Sequence, residues 1–296
     1  MTFDDFGMDT ASLAGSLEAK LAAVRQAGFS QVMISAADIV GHPHGTAAGV
    51  RAVRDSALRV TGLEALRDFE GLTGDLHHYK LDIAKAMLTL CHQIGGRLLL
   101  VEASTSTHAD TDPDLVAADL RKLAVIAIPF GIRIAFKGLS WSRTVNAFGA
   151  ALEVVDRANC PNLGLGIDSF DVLASGASLD DLGIFAPEQI FLVQLSDFMW
   201  NQDRSPEEQL ATAIHFRVFP GEGVHSNSLA NLVTRLDKLG YYRDYSFAVY
   251  NDDYRQLPPE FVANRARSAA VWLAETVLRR GLPVPNMDRL RRSGHA

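Results

Sequence analysis

The chain has 296 residues, of which 48% are hydrophobic and 21% are charged, and its formal net charge is −7. This composition is sufficient for one large hydrophobic core or two modest ones, and the acidic balance argues against a general nucleic-acid binder, which would carry a basic patch. No apolar run reaches the ~18 residues that a membrane span needs. Since the acidic N-terminus also lacks the features of a signal peptide, we expect a soluble cytoplasmic protein with no membrane partner.

Short apolar runs, typical of buried strands, alternate with stretches of helical periodicity. In chain order the sequence predicts a helix over 16–28, a strand over 31–35, a helix over 45–58, a strand over 59–66, a helix over 77–94, a strand over 97–103, a helix over 114–129, a strand over 133–139, a helix over 143–158, a strand over 163–168, a short helix over 178–182, a strand over 189–195, a helix over 226–239, a strand over 245–250 and a helix over 258–280. Residues 196–225 are predicted as a long polar segment.

This alternation comes close to eight strand–helix units of roughly 30 residues each, which is the length of a βα repeat. Such units imply parallel strands joined by right-handed crossovers. We therefore predict a single α/β domain, a (β/α)8 TIM barrel, over residues 1–281 and a C-terminal tail over 282–296. An open doubly wound sheet is the alternative, and the lack of a glycine-rich phosphate-binding turn after any strand argues against it.

Barrel enzymes of this class keep their chemistry at the C-terminal ends of the strands. The polar residues predicted to lie there include Glu64, Glu102, Lys137, Asp168 and Gln194. Lys137 lies inside an apolar run, where an ionisable group is costly unless it is paired. One interpretation is a buried ion pair, Lys137 with Asp168 or Glu102, that closes the top of the barrel. The other, which the position favours, is a catalytic cation and base in a pocket.

Two arginines also follow predicted strands. Arg67 precedes an acidic turn that ends in a glycine, and Arg217 lies in the loop after the seventh strand. Either guanidinium can bind a substrate carboxylate or phosphate through two parallel hydrogen bonds. The alternative for each is an exposed arginine in a surface ion pair, which contributes little.

Five segments of the chain, taken together, resemble one known family. They are Arg67–Gly71, Gly164–Phe170, Phe191–Leu195, His215–Gly223 and Tyr250–Arg255. Their sequences resemble those of the bacterial 3-dehydroshikimate dehydratases, which belong to the xylose-isomerase-like, sugar phosphate isomerase/epimerase TIM barrels. The similarity runs over about residues 10–275.

The resemblance implies a divalent metal held by Glu, Asp, Gln and Glu at the ends of strands five to eight. Asp168 and Gln194 match two of these positions, but Lys137 and Ala248 stand where the family has glutamates. A hard cation would keep one carboxylate and one amide beside an ammonium. We therefore predict no metal ligands and no cofactor, with Mn, Mg or Co bound only if the altered site still accepts a divalent metal.

The resemblance also implies a lyase or isomerase that acts on a cyclic polyhydroxy keto acid or a similar sugar-like substrate. Lys137 is then predicted to stabilise an enolate as a fixed cation, or alternatively to form a Schiff base. Asp171, which replaces a family histidine, or Glu70 would act as the base. The predicted catalytic residues are Lys137, Asp168, Glu102, Asp171 and Glu70; those for substrate binding are Arg67, Phe69, Gln194, His215, Arg217 and Asn251.

The predicted partners are an anionic, polyhydroxylated small molecule and further copies of the same chain, since partner chains often cap such barrels. No nucleic-acid partner is expected. The alternative from another class is a catalytically inactive TIM-barrel homologue that binds a ligand or a partner subunit. The loss of two metal ligands favours that alternative, whereas the retained segments around Arg67, Arg217 and Asn251 favour an enzyme.

Overall fold

Parallel strands close into a barrel in the computed structural model, which describes residues 3–201 and 205–281. The barrel strands are β1 (Phe6–Asp9), β2 (Gln31–Ser35), β3 (Arg59–Arg67), β4 (Leu98–Glu102), β5 (Arg133–Lys137), β6 (Leu163–Asp168), β7 (Ile190–Leu195) and β10 (Tyr245–Phe247). Strands that follow one another in this list pair with each other, and β10 pairs with β1 to close the barrel. The predicted (β/α)8 barrel is confirmed, and the open-sheet alternative is wrong.

Helices connect the strands on the outside of the barrel. They are α1 (Leu17–Gln26), α2 (Ala36–Val40), α3 (Thr46–Asp55), α4 (Gly74–Gln93), α5 (Pro113–Ala127), α6 (Phe148–Ala158), α7 (Ser169–Ser175), α8 (Pro206–His215), α9 (Ser226–Leu239) and α10 (Pro259–Val271). A π-helical turn, Trp272–Val277, continues α10. Within the described ranges, no helix combines the length and the apolar character that crossing a bilayer would require.

The first strand was not predicted from the sequence. β1 has only four residues, Phe6–Asp9, and follows an acidic 3-10 turn, so its alternation is too short to register as a strand. It nevertheless pairs with β2 on one side and β10 on the other, and its four residues are buried. As a result, Asp9 at its C-terminal end lies at the barrel mouth, among residues that the sequence did identify.

The region after β6 also differs from the prediction. α7 begins at Ser169, directly after the strand, because the Asp168 side chain caps it by accepting from the Phe170 amide at 3.0 Å. The helix predicted over 178–182 is instead a 3-10 turn, Leu179–Ile184. This arrangement places Asp171 in the first turn of α7, close to the barrel mouth. The tail predicted over 282–296 lies outside the described residues.

The polar segment predicted over 196–225 contains regular structure. β8 (Asp197–Phe198) pairs antiparallel with β9 (Arg217–Val218), and α8 lies between them. α8 begins with a capping box in which Ser205 and Glu208 bond each other's backbone amides. This motif can be read from the sequence, yet residues 196–225 were predicted only as a long polar segment. The folded segment carries Arg217 to the barrel mouth.

The interior of the barrel changes from apolar to polar along the strands. Successive side chains of a strand point to opposite faces, so Leu98, Leu100 and Glu102 of β4 share the inner face. Ala135 and Lys137 do the same on β5. The leucines and Ala135 belong to a buried apolar cluster separate from the core between strands and helices. Glu102 and Lys137 therefore stand on an apolar base, at the end of the barrel that opens to solvent.

The close contact between β3 and β4 gives a test of this packing. A Cβ at Gly62 would lie 2.4 Å from the Leu98 carbonyl oxygen, which cannot move without disturbing the barrel. We expect Gly62→Ala to lower the free energy of unfolding by ~1–3 kcal/mol in urea unfolding. Gly149→Ala in α6 is the matched control, because nothing lies within 4 Å of its added Cβ. Equal unfolding midpoints for the two variants would contradict the contact.

Candidate active site

A cavity of about 610 Å³ opens at the C-terminal mouth of the barrel. Its volume falls in the range of small-molecule sites. The wall is formed by residues at strand ends and in the loops that follow them, among them Glu64, Arg67, Glu102, Trp141, Arg217 and Tyr250. The cavity thus lies where barrel enzymes bind their substrates.

Lys137 lies directly beneath this cavity. Its Nζ is 3.1 Å from Glu102 Oε1, 3.2 Å from Asp168 Oδ2 and 3.0 Å from Gln194 Oε1. An ammonium has three N–H donors, and these three oxygens match them in number. The Lys137 side chain is only 1% exposed. The structure therefore brings together the four predicted residues at the ends of β4, β5, β6 and β7.

These groups keep one another charged. Burial opposes the charged form of Lys137, but the attraction of Glu102 and Asp168 raises its pKa above the ordinary value. Burial would raise the pKa of Glu102, yet Lys137 and Arg67 outweigh it and lower that pKa to about 2. Burial likewise opposes ionised Asp168, and Arg217 and Lys137 lower its pKa. At neutral pH the base of the cavity is a network of ionised carboxylates and cations.

Arg217 is part of the same network. Its Nη1 donates to Asp168 Oδ2 at 2.8 Å, and its Nε donates to the Ala213 carbonyl in α8 at 2.8 Å. The guanidinium carbon lies 4.5 Å from the centre of the Phe170 ring and 5.1 Å from that of Tyr250. Because Arg217 is buried, the alternative of an exposed surface ion pair is wrong for it. It fixes α8 and β9 beside the mouth.

Arg67 occupies the open side of the cavity. Its Nε donates to Glu102 Oε2 at 2.6 Å, while its side chain remains 67% exposed. The pair joins the cavity wall to the charge network below, because Glu102 also contacts Lys137. A guanidinium in this position can offer its remaining N–H groups to an anionic ligand.

Four residues predicted to bind substrate are absent from the cavity wall; Gln194 lies beneath it against Lys137, and the other three belong to the surrounding loops. Phe69 is fully buried and its ring lies 6.3 Å from that of His77 on α4. Asn251 donates to the Arg217 carbonyl at 2.8 Å and accepts from two backbone amides of its own loop. His215 pairs with Asp252 at 2.9 Å on the surface. Their contacts are those of residues that shape the loops around the site.

The two predicted bases lie behind loops that form the wall. Asp171 Oδ1 accepts from the Ser140 amide at 2.8 Å, and Glu70 accepts from the Ser104 amide. Burial, reinforced by the charge of Asp168, raises the pKa of Asp171 to about 7. Burial also raises the pKa of Glu70 to about 7. Both carboxyls therefore titrate near neutral pH, although each is separated from the cavity by the loop it holds.

Sequence reasoning assigned no role to Asp9 and Glu64, which form a second polar group at the mouth. Gln194 Nε2 donates to Asp9 Oδ2 at 2.7 Å, and Tyr250 donates its hydroxyl to Glu64 Oε2 at 3.0 Å. Ser246 Oγ donates to Asp9 Oδ1. The available signal was an acidic residue ending the short apolar run Phe6–Asp9, the same signal that identified Asp168.

The donor set at the family's metal position does not suit a divalent cation. The oxygens of Asp168 and Gln194 face the Lys137 ammonium, whose charge would repel a metal ion placed between them. Ala248 offers no side-chain ligand at the fourth position. Across the described residues, no group of three or more His, Cys, Asp or Glu side chains is arranged to hold a metal ion.

Comparison with known proteins identifies the family. The model of the xylose isomerase-like TIM barrel family matches residues 21–275. The chain belongs to this family. It is 33% identical over 285 residues to a 3-dehydroshikimate dehydratase of Pseudomonas aeruginosa, a match that covers 95% of this chain and 44% of that protein. The corresponding values for the Pseudomonas putida enzyme are 31% over 270 residues, 90% and 41%.

The chain therefore spans less than half the length of these two relatives. A more distant relative is an inosose isomerase of Bacillus licheniformis, 25% identical over 225 residues, with 72% of this chain and 76% of that protein covered. Among solved structures, a fusion protein of a xylose isomerase-like TIM barrel and a 4-hydroxyphenylpyruvate dioxygenase superposes with a TM-score of 0.85 at 30% identity. That match covers 93% of this chain and 44% of the fusion protein.

The IOLI protein, solved with a bound zinc atom, superposes with a TM-score of 0.79 at 20% identity, covering 94% of this chain and 99% of that one. At this identity the likeness establishes the fold alone.

Metal analysis tests the replacement of a metal by Lys137. We expect the purified protein to contain far less than one Mn, Mg, Zn or Co per chain, and chelation to leave its activity unchanged. A double variant, Lys137→Glu with Ala248→Glu, restores the carboxylates of the family pattern and is expected to gain one Mn or Co per chain. Lys137→Met is the control that removes the charge without adding a ligand. A stoichiometric metal in the unaltered protein, lost together with its activity, would contradict the interpretation.

The pKa of Glu70 predicts how stability depends on pH. Because this pKa is about 7 in the fold against an ordinary 4.5, the folded chain keeps a proton that the unfolded chain releases between these values. The free energy of unfolding should therefore fall as pH rises through this window, by up to ~1.4 kcal/mol per pH unit for this group. Glu70→Gln should reduce the slope of urea-unfolding free energies against pH. Exposed Glu260→Gln, the matched control, should leave it unchanged, and equal slopes would refute the prediction.

Proposed function

We propose that this chain is a lyase of the 3-dehydroshikimate dehydratase type, which removes water from a cyclic, polyhydroxylated keto acid without a divalent metal. The observation that carries the proposal is the Lys137 ammonium held by Glu102, Asp168 and Gln194 beneath the cavity. The identity to the Pseudomonas dehydratases supports the reaction and the substrate class. The network supports fixed protein cations in place of the metal.

In this proposal Arg67 binds the substrate carboxylate. Its exposed guanidinium lies on the cavity wall and donates its Nε–H to Glu102. The N–H groups of its two terminal nitrogens are left to bind the ligand. Trp141 and Tyr250, also on the wall, offer aromatic faces to the substrate ring. The substrate is thus a small anion with an apolar face and several hydroxyl groups.

Removal of a proton next to the ketone places negative charge on the ketone oxygen. Cations that are already fixed before the reaction stabilise this charge without reorganising. Arg217 acts from the wall, and Lys137 acts from beneath it through its field and by holding Glu102 and Gln194 in position. A Schiff-base role for Lys137 would need a neutral, accessible amine. Its raised pKa and its burial oppose that role.

Of the two bases predicted from the sequence, we propose Asp171. Its Oδ2 is buried and has no hydrogen-bond partner among the described residues, and its pKa of about 7 suits proton abstraction at neutral pH. It bonds Ser140, whose neighbours Leu139 and Trp141 line the cavity, so a small shift of this loop would expose it. Glu70 has a comparable pKa and also a buried oxygen without a partner among the described residues, but its charged neighbours are Asp68 and Asp119, whereas Asp171 lies near Lys137 and Arg217.

Two alternatives remain as proposals with their own support. The inosose isomerase relatives support isomerisation, in which the abstracted proton returns to carbon and no water is lost. A binding barrel without catalysis is supported by Lys137 itself, because its ammonium is matched by three protein oxygens and buried. Turnover of 3-dehydroshikimate or of an inosose, followed by mass spectrometry for the loss of water, distinguishes these cases. Assembly into a homo-oligomer stays a prediction.

Replacement of Lys137 tests its catalytic role. We expect Lys137→Met to remain folded, because Asp168 retains Arg217 and Glu102 retains Arg67. Loss of the fixed cation should lower kcat for 3-dehydroshikimate by ~10²–10³-fold with a small change in KM. Lys85→Met on the exposed surface of α4 is the control and should retain full activity. Unchanged kcat in a Lys137→Met protein of higher thermal stability would favour a purely structural ion pair.

A further inference from the structure

The Asp9 and Glu64 carboxyls lie together at the mouth of the barrel. Asp9 ends β1 and Glu64 lies in β3, with Met33 of β2 paired opposite Asp9. Asp9 is fully buried, and Glu64 is 5% exposed. The two side chains face one common donor, since Gln194 Nε2 lies within 3.5 Å of an oxygen of each. Two ionised carboxylates offer only acceptors, so neither can satisfy the other unless one carries a proton.

The other partners of this pair are neutral. Gln194 Nε2 lies 2.7 Å from Asp9 Oδ2 and 3.5 Å from Glu64 Oε2, and Ser246 and Tyr250 each donate a hydroxyl hydrogen bond. Over residues 3–201 and 205–281, no lysine or arginine forms an ion pair with either carboxyl. Glu102 and Asp168, by contrast, contact Lys137, Arg67 and Arg217 directly. The acids at the mouth therefore fall into two groups. Glu102 and Asp168 form ion pairs with cations, whereas Asp9 and Glu64 form none with the described residues.

Two buried carboxyls without a cation cannot both be ionised at moderate cost. One oxygen of the pair, Glu64 Oε1, is buried and receives no hydrogen bond from the described residues. A proton held by the pair satisfies that oxygen and removes the repulsion. Burial raises the pKa of Glu64 well above its ordinary value, and the charge of Asp9 adds to the effect.

Gln194 separates the pair from the ammonium. Its Oε1 accepts from Lys137 and its Nε2 donates to Asp9, the amide orientation that places no donor against a donor. Lys137 therefore influences the pair only through space. The remaining groups that face the pair are Met33 from β2, Ser246 from β10, Tyr250 from the loop after β10 and Arg67, which follows Glu64 on β3. Arg67 carries a positive charge, but its guanidinium bonds Glu102 and neither carboxyl of the pair.

We propose that Asp9 and Glu64 share one proton and that Glu64 is a catalytic acid that donates it to the leaving hydroxyl of the substrate. Glu64 and Tyr250 line the cavity, whereas Asp9 lies behind Glu64 and is absent from the wall. Glu64 is thus the member that meets the ligand, and Asp9 is a positioning residue that keeps it protonated. The inference rests on the proposed dehydration and supplies its missing acid.

The step balances as an elimination. A base removes the proton next to the ketone, and the electron pair of that C–H bond forms the new carbon–carbon double bond. The C–O bond to the leaving hydroxyl breaks, and the hydroxyl takes the proton of Glu64 and departs as water. The pair is left with one additional negative charge, which a proton from solvent neutralises before the next turnover. No oxidant, reductant or co-reactant is needed.

Glu64→Gln is the central variant, because glutamine preserves the size of the side chain but cannot transfer the acidic proton. We expect kcat for 3-dehydroshikimate to fall by ~10²–10⁴-fold with KM nearly unchanged, the range for loss of a general acid. Asp9→Asn should retain more activity but move the alkaline limb of the kcat–pH profile to lower pH. That shift arises because Glu64 loses the neighbour that keeps it protonated. Glu260→Gln on α10 is the matched control and should behave as the unaltered protein.

An infrared measurement tests the shared proton without turnover. Above pH 7, where Glu70 and Asp171 ionise, the unaltered protein should retain the carbonyl band of a protonated carboxyl. The band should disappear in Glu64→Gln and shift to lower pH in Asp9→Asn. Absence of the band in the unaltered protein, or unchanged kcat in Glu64→Gln, would overturn the inference. A band that behaves as expected in a protein inactive on 3-dehydroshikimate would support the shared proton and refute the proposed dehydration instead.

Discussion

One buried ammonium governs the chemistry of the barrel mouth. Parallel strands bring Glu102 and Asp168 to the same edge of the barrel, where burial makes two adjacent carboxylates unfavourable. Lys137 stands between them on β5 and compensates both. Its removal alone would leave each carboxylate with one arginine. Arg67 on the rim and Arg217 on β9 pair with the same two carboxylates.

The mouth contains two networks of opposite electrostatic character. Around Lys137, Glu102 and Asp168 are each paired with cations, so their charges are fixed and resist titration. Around Asp9 and Glu64 the donors are neutral, so the pair retains a proton. Gln194 lies between the two networks: its Oε1 accepts a hydrogen bond from Lys137, and its Nε2 donates one to Asp9. A site that must stabilise negative charge and also deliver a proton needs both kinds of environment, and their different surroundings push the pKa values of their acids apart.

Much of this site could be predicted from the sequence, because strand ends in a parallel barrel converge on one edge. Lys137 and Asp168 are the last residues of their strands and Gln194 is the next to last of its strand, and the fold places them in contact as that rule requires. Asp9 was missed because a four-residue strand after an acidic turn gives no usable periodicity. Phe69 and Asn251 lie in recognised motifs, but a motif does not tell which side of a loop a side chain occupies, and both turned away from the cavity.

The family relationship establishes the barrel more firmly than the reaction. The chain shares a third of its residues with a dehydratase of more than twice its length. By the resemblance, Lys137 and Ala248 stand at two of the four positions where the family pattern holds a metal. Exchanging two glutamates for a lysine and an alanine removes the net negative charge of those four positions, and for this reason we propose fixed protein cations in place of a metal. A protein cation in the same place preserves the sign of the electrostatic stabilisation but not the ability of a metal to bind substrate oxygens directly.

The most direct measurement is a crystal structure of the protein grown with Mn²⁺ in excess, with anomalous scattering recorded to locate the metal. We predict no anomalous peak between Asp168 and Gln194, and density for Lys137 Nζ in contact with both side chains and Glu102. A strong peak coordinated by Asp168 and Gln194, with the Lys137 side chain turned away, would contradict it.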